Sequence, residues 1–416
     1  MVLGIAQFAF IPSEGSFFSI STPNQLQIIG PLLVVAALLR SLKEFAHDRL
    51  APRLTDYTVA GFGLWGLMGL LLQVGAVKWY VNRMILPMSF YYVARLVRLT
   101  RERIVKLAGV ALGAVSLQSL MMIRESSAGS SPIYAVRSGL VEGVKAAKGP
   151  FPYHWTAGAF LAMWPALFVY MIANSKSTRA RVLWAVGLLV VLIANTRTMQ
   201  RAGTLASLIA IACCLIPSQL RRTASIVIVI LAIAYVPWSM GKAGGALMDR
   251  FDQTDESRVA YRIAAINLLK SDDWNPVYGV GWSRGARYGG THGTDDEVLA
   301  WGSRRITVAE IAEGAQIHNV WLALPVEFGI GGVLLALAVL MGALASTVRV
   351  FRRARERPVD TGLLVALWGG MVALGAIAFF QNTWHYPVSM SVMWLFYGLI
   401  VSKPDLFDID EAEGSS

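Results

Sequence analysis

The chain has 416 residues, 55% hydrophobic and only 15% charged, with a net charge of +11. Soluble domains carry about 25% charged and about 45–50% apolar residues, so this composition excludes an ordinary water-soluble globule. The basic excess belongs to short cytoplasmic loops between membrane spans rather than to a nucleic-acid footprint, and no nucleic-acid partner is expected.

The apolar residues come in blocks long enough to cross a hydrocarbon core of about 30 Å. Residues 1–20 do not form a convincing signal peptide, because they lack a positive start and Pro12 and Glu14 break the apolar run. They are either an outer segment or a shortened extra span. Spans are then expected at 25–42, 57–77, 80–97, 104–123, 154–173, 182–196, 202–217, 224–240, 320–348, 361–380 and 386–402. Basic clusters follow in every second connection: Arg40 to Arg53, Arg95 to Lys106, Lys176 to Arg181, Arg221 with Arg222, and Arg349 to Arg357. This alternation orients the protein with those turns in the cytoplasm. The fold class expected is an all-α polytopic membrane protein with about 11–12 transmembrane helices.

Four regions follow. Residues 1–240 form an N-terminal bundle, 241–319 a large extracytoplasmic loop, 320–402 the C-terminal helices, and 403–416 a disordered acidic cytoplasmic tail. Within the loop, residues 256–270 place Val259, Ile263, Ile266 and Leu269 at helical spacing, which predicts an amphipathic helix near the membrane surface. The glycines between 279 and 293 argue against regular structure there.

The richest stretch for chemistry is residues 317–332, IHNVWLALPVEFGIGG. His318 and Asn319 stand where the polar loop meets an apolar helix, and Gly329 and Gly332 follow. A neutral imidazole at that boundary can take a proton from a hydroxyl near neutral pH. Asn319 could orient the imidazole or hydrogen-bond a sugar. The glycines could bring helices, or backbone and substrate, close together. An interfacial histidine with helix-packing glycines is the competing explanation. Arg197 and Arg201 sit in a tight outer turn against the positive-inside trend, whereas Arg258 and Arg262 could be the solvated face of the loop helix.

His292 with Asp295, Asp296 and Glu297 reads as a solvated acidic run rather than a cation site. Glu310, Glu313 and Gln316 line a pocket or face water. His154 with Tyr153 and Trp155, and His385 with Trp384 and Tyr386, read as interfacial aromatic belts, with sugar stacking as the alternative. His47 falls on the cytoplasmic side, and the adjacent Cys213 and Cys214 read as small buried hydrophobes.

The spacing His318-Asn319, nine residues, then Gly329-x-x-Gly332 resembles the signature of the O-antigen ligase and polymerase superfamily. Residues 196–205, TRTMQRAGTL, resemble that family's Ser-Arg-Gly/Ala element, with Arg201 the better match and Arg197 the second. Ser257-Arg258 with Tyr261, followed by Asn-Pro-Val-Tyr-Gly-Val-Gly at 275–281, resembles its loop element; Gln200 and Ser257 replace commoner residues. The likeness covers roughly residues 180–350.

The resemblance implies a glycosyltransferase C type fold in the bacterial inner membrane, with an active site facing the periplasm. It also implies an undecaprenyl-diphosphate-linked glycan as donor. The acceptor would be lipid A–core oligosaccharide for a ligase, or a second lipid-linked glycan for a polymerase. The mechanism expected is inverting and needs no metal or other cofactor. His318 serves as general base, Arg201 and Arg258, with Arg197 and Arg262, hold the diphosphate, and Asn319, Gly329 and Gly332 support the site. A flippase for the same glycan would need charges along several spans; the spans carry almost none away from their ends.

Overall fold

The computed structural model describes residues 53–70, 80–97, 99–128, 139–141, 144–151, 153–239, 256–281, 298–301, 304–307, 319–383, 386–402 and 404–409. Long apolar runs satisfy their backbone groups internally only as helices, and helices dominate these residues. In chain order they are α1 (Leu54–Leu70), α2 (Leu86–Leu96), α3 (Arg101–Ala128), α4 (His154–Ala162), α5 (Pro165–Asn174) and α6 (Thr178–Arg197). Then come α7 (Arg201–Cys213), α8 (Ser218–Ser239), α9 (Glu256–Leu269), α10 (Val320–Arg353), α11 (Thr361–Ala378) and α12 (Pro387–Ser402). Two short antiparallel hairpins lie in the connections: β1 (Gly139–Val141) with β2 (Val144–Ala146), and β3 (Val298–Trp301) with β4 (Arg304–Thr307).

Five helical stretches among the described residues are long and apolar enough to cross a membrane: Arg101–Ser127, His154–Asn174, Thr178–Arg197, Val320–Arg353 and Thr361–Ala378. The protein is a multi-pass membrane protein built from α-helices. The expected span 25–42 and the end of the span 57–77 lie outside the described residues.

Burial separates the centre of the bundle from its rim. The stretch His154–Asn174 and helices α11 and α12 are mostly buried. By contrast, α6 presents Val182, Leu183, Val186 and Leu189 outward, and α10 presents Ile330, Leu334, Leu337 and Met341. An apolar face with no protein cover is what a lipid-facing helix carries. At the centre, small residues let backbones approach. A Cβ on Gly369 of α11 would stand 2.5 Å from the Ala166 Cβ, and one on Gly398 of α12 would stand 2.7 Å from that of Ala94.

The span expected at 154–173 is two helices broken at Met163 and Trp164, because Pro165 has no N–H to continue the first and favours the start of the second. A π-helical turn, Val81–Ile85, precedes α2, where Pro87 interrupts the ladder and the Leu86 N–H reaches back to the Val81 carbonyl. The acidic tail departs from the expectation of disorder over its first residues. Pro404–Phe407 forms a 3₁₀ turn with Leu406 and Phe407 buried, Asp408 pairs with Arg357 at 2.9 Å, and the Asp360 N–H donates to the Phe407 carbonyl at 2.6 Å. The apolar pair Leu406 and Phe407 explains why this part of an acidic segment packs.

Candidate active site

Several of the residues singled out by the sequence lie in or beside the connections opposite the basic turns. The turn between α6 and α7 is the tightest of them. Arg197 ends α6, its carbonyl accepting the Ala147 N–H at 2.8 Å, and Arg201 opens α7; both side chains are partly exposed. Between them Met199 is buried with φ 55°, a left-handed conformation that costs a non-glycine residue about 1–2 kcal/mol.

Neutral side chains hold that strained turn. Asn195 donates to the Gly203 carbonyl at 3.0 Å and to Ser207 Oγ at 2.7 Å, and the Thr198 hydroxyl donates to the Asn195 carbonyl at 2.6 Å. Gln200 reaches across the bundle, its Nε2 donating to Gln381 Oε1 at 2.8 Å, and the Tyr386 hydroxyl donates to the same oxygen at 2.8 Å. Gly158 and Gly203 make room for Gln200: a Cβ on Gly158 would collide with its amide oxygen, and one on Gly203 would approach it to 2.7 Å. Tyr386 is therefore a buried partner of this network rather than part of an interfacial belt. The turn after α11 also reaches the start of α10, where the rings of Phe379 and Trp321 lie 5.4 Å apart. Arg201, Gln381 and the N-terminus of α10 thus share one end of the bundle.

Helix α10 begins at Asn319, whose Oδ1 accepts the Leu322 N–H at 3.1 Å. That oxygen is a helix cap, a role that competes with orienting an imidazole. His318 itself lies outside the described residues, as do His292, Asp295, Asp296, Glu297, Glu310, Glu313, Gln316, Trp384 and His385. His154 stands edge-on to Trp155, which stacks on Tyr153 at 4.5 Å.

Ten residues after Asn319, α10 breaks. Gly329 has φ 64° and ψ −170°, a conformation essentially confined to glycine. A break ends the first half of the helix and leaves its last carbonyls without partners. Here four consecutive carbonyls find donors from elsewhere. Pro325 O accepts from the Trp274 indole at 3.1 Å, Val326 O from the Val280 N–H at 2.9 Å, Glu327 O from the Gly281 N–H at 3.0 Å, and Phe328 O from the Trp65 indole of α1 at 3.0 Å. The second half begins equally satisfied, with Ile330 N–H donating to Pro276 O at 2.8 Å and Gly331 N–H to Val277 O at 3.1 Å.

The loop element at 275–281 is the other half of this clasp. Asn275 Oδ1 accepts the Val277 and Tyr278 N–H groups at 2.9 and 3.3 Å, and Gly279 and Gly281 take φ of 70° and 93°. A Cβ on Gly329 would lie 2.5 Å from Val277 O, and one on Gly279 would collide with Val326 O. The glycines serve backbone-to-backbone docking. Gly332 is hemmed in by Phe328 and Trp65 instead.

The clasp also seats α9. Ala265 and Leu268 pack with Val280, Ala323 and Val326, so the buried face differs from the one expected. Ile266 is 38% exposed, while Ala264, Ala265 and Leu268 are buried. Alanine lets the helix approach α10 closely, and a reading weighted towards large aliphatics misses it. Arg262 is exposed on this seated helix, and Arg258 lies one turn earlier in it.

Three buried carboxyls escaped the sequence reading: Glu327, beside the break; Glu125 near the end of α3, which accepts the Gly149 N–H at 2.8 Å; and Asp360, which caps α11 at the opposite end of the bundle. An ionisable residue inside an apolar span is the signal that marks the two glutamates, whereas Asp360 stands where a helix cap would. Among the described residues no group of three or more His, Cys, Asp or Glu side chains is arranged to hold a metal ion. Comparison of the chain with protein-family models and with curated proteins returned no match.

Proposed function

We propose that the protein is a ligase-like glycosyltransferase of the glycosyltransferase C type in the bacterial inner membrane. It moves a glycan from undecaprenyl diphosphate to lipid A–core oligosaccharide at the periplasmic face. The observation that carries this reading is the clasp. The elements at 275–281 and at Gly329, which the resemblance to the O-antigen ligase and polymerase superfamily picks out separately, interlock through backbone hydrogen bonds. That interlock ties the arginine-bearing helix α9 to the helix whose first residue, Val320, comes two after His318.

In this reading His318 takes the proton from an acceptor hydroxyl as its oxygen attacks the anomeric carbon. The bond from that carbon to the diphosphate oxygen breaks, and undecaprenyl diphosphate leaves with the electron pair. Arg201 and Arg258, assisted by Arg197 and Arg262, bind the diphosphate oxygens, for which the planar guanidinium is suited. Their charge offsets the negative charge that grows on the leaving group. Attack opposite the leaving group inverts the anomeric centre.

Purified protein mixed with lipid-linked glycan and lipid A–core is expected to yield glycan on the lipid A–core. His318→Ala should abolish transfer while leaving the protein inserted and its unfolding midpoint unchanged. A lengthened lipid-linked chain would make the protein a polymerase. Near-normal transfer by His318→Ala would remove the histidine from the mechanism, and no product of either kind would favour a flippase.

A further inference from the structure

At the basic end of the bundle a groove of about 830 Å³ opens between the start of α1, the last turns of α10 and the end of α12. Leu54, Met341 and Val401 give it apolar walls, and Arg53, Arg349 and Arg353 stand on its rim. No carboxylate is among its described lining residues. Leu54 is 78% and Met341 59% exposed, so the groove opens sideways to the surrounding membrane.

Arg53 and Arg349 are fixed by contacts that leave their charge in place. Arg53 Nη1 donates to the Ser402 carbonyl at 2.9 Å. Arg349 donates to the Ala345 carbonyl at 3.3 Å and to Ser346 Oγ at 3.1 Å. A guanidinium carries five N–H donors, more than these contacts use. The nearby carboxylate, Asp56, is committed elsewhere: it accepts the Tyr91 hydroxyl at 2.5 Å and the Arg53 backbone N–H at 2.7 Å, and pairs with Arg95. Burial lowers the Arg53 pKa, and repulsion from Arg95 and Arg349 acts the same way against the pull of Asp56. Like charges held together over an apolar slot are complementary to an anion that carries a tail.

We propose that this groove binds an anionic phospholipid of the adjacent leaflet. The phosphodiester sits between Arg53 and Arg349, and the acyl chains lie along Leu54 and Met341. Basic pockets between helices on the cytoplasmic side recognise such headgroups. A soluble phosphate would leave the apolar walls unused, and a choline headgroup would bring a cation to the arginines.

The test is native mass spectrometry of the full chain in detergent with added phosphatidylglycerol, cardiolipin or phosphatidylcholine. The anionic lipids should be retained in preference to phosphatidylcholine. Arg53→Gln with Arg349→Gln should weaken retention about thirtyfold, five- to sixfold per arginine. Arg221→Gln with Arg222→Gln, at another basic turn, should leave it unchanged. Met341→Trp, which fills the groove from an exposed position and keeps every arginine, should also displace the lipid, and serves where the double variant does not fold. Equal retention of phosphatidylcholine, retention of no lipid, retention unaffected by Met341→Trp, or equal loss in the Arg221/Arg222 variant would each overturn the proposal.

Discussion

The two ends of the bundle are held by different chemistry. At the basic end the ties are charged. Asp360 accepts from Arg101 at 2.8 and 2.9 Å and from the Tyr170 hydroxyl at 2.6 Å, joining α3, α5 and α11, and it caps α11 through the Leu363 N–H at 2.9 Å. At the loop end the ties that hold the α6–α7 turn and α9 are neutral: the Gln200–Gln381–Tyr386 network and the backbone clasp at Gly329. A charged tie fixes the helix ends strongly but commits its arginine. A neutral tie fixes a turn without drawing on the charge of the arginines beside it. On the proposed function, that is the division of labour a diphosphate site needs.

The largest effect that separates the ends is expected at Asp360. Replacement by alanine removes the cap and leaves the Tyr170 hydroxyl and the Arg101 guanidinium without their shared acceptor. Breaking a buried pair of this kind costs about 3–5 kcal/mol. The unfolding midpoint of the purified protein should drop accordingly, and Asp360→Asn, which keeps the cap, should recover part of it. A loss below about 1 kcal/mol would show that the charged ties are not what holds this end.

A middle-sized effect is expected at the clasp. Gly329→Ala forces a side chain into a glycine-only conformation, at about 1–3 kcal/mol, and drives its Cβ against the Val277 carbonyl. The readout is local: amide exchange at Val280 and Gly281, which their hydrogen bonds should make slow in the wild type, should become fast while the Asp360 end keeps its protection. Uniform acceleration across the molecule would mean that the two ends do not act as separate units.

Much of this architecture was legible in the chain. Span positions follow from apolar length, and their ends from the basic clusters. The breaks at Pro165 and Pro87 arise from a residue without an N–H, but the expected spans 154–173 and 80–97 run straight through them, because deciding between a kink and a stop requires the neighbours. The Gly329 break was not legible, because its stability depends on donors from Trp274, Val280, Gly281 and Trp65, which are distant in sequence from the carbonyls they satisfy. Gln200 and Gln381 pose the same problem, since a buried amide reveals its partner only once the helices are packed. The α9 face was misread for a different reason. Alanine contributes little to hydrophobic periodicity, yet Ala265 packs at the contact with Ala323 and Val326 of α10.

The smallest effect on stability, and the sharpest use of the comparison, is expected at Arg262. It is exposed on a helix seated by Ala265, Leu268 and the clasp, none of which needs its charge. Arg262→Gln should therefore leave the unfolding midpoint within about 0.5 kcal/mol of the wild type, as exposed substitutions do. If the loop end presents its arginines to a diphosphate, the same variant should raise the KM for the lipid-linked donor about tenfold, the loss of one hydrogen bond to a charged group. That KM should also respond less steeply to added salt, because one cation has left the site. A fall in stability above about 1 kcal/mol would place Arg262 among the structural ties, as at the basic end. An unchanged KM with unchanged stability would leave it a solvated arginine and move the donor away from this turn of α9.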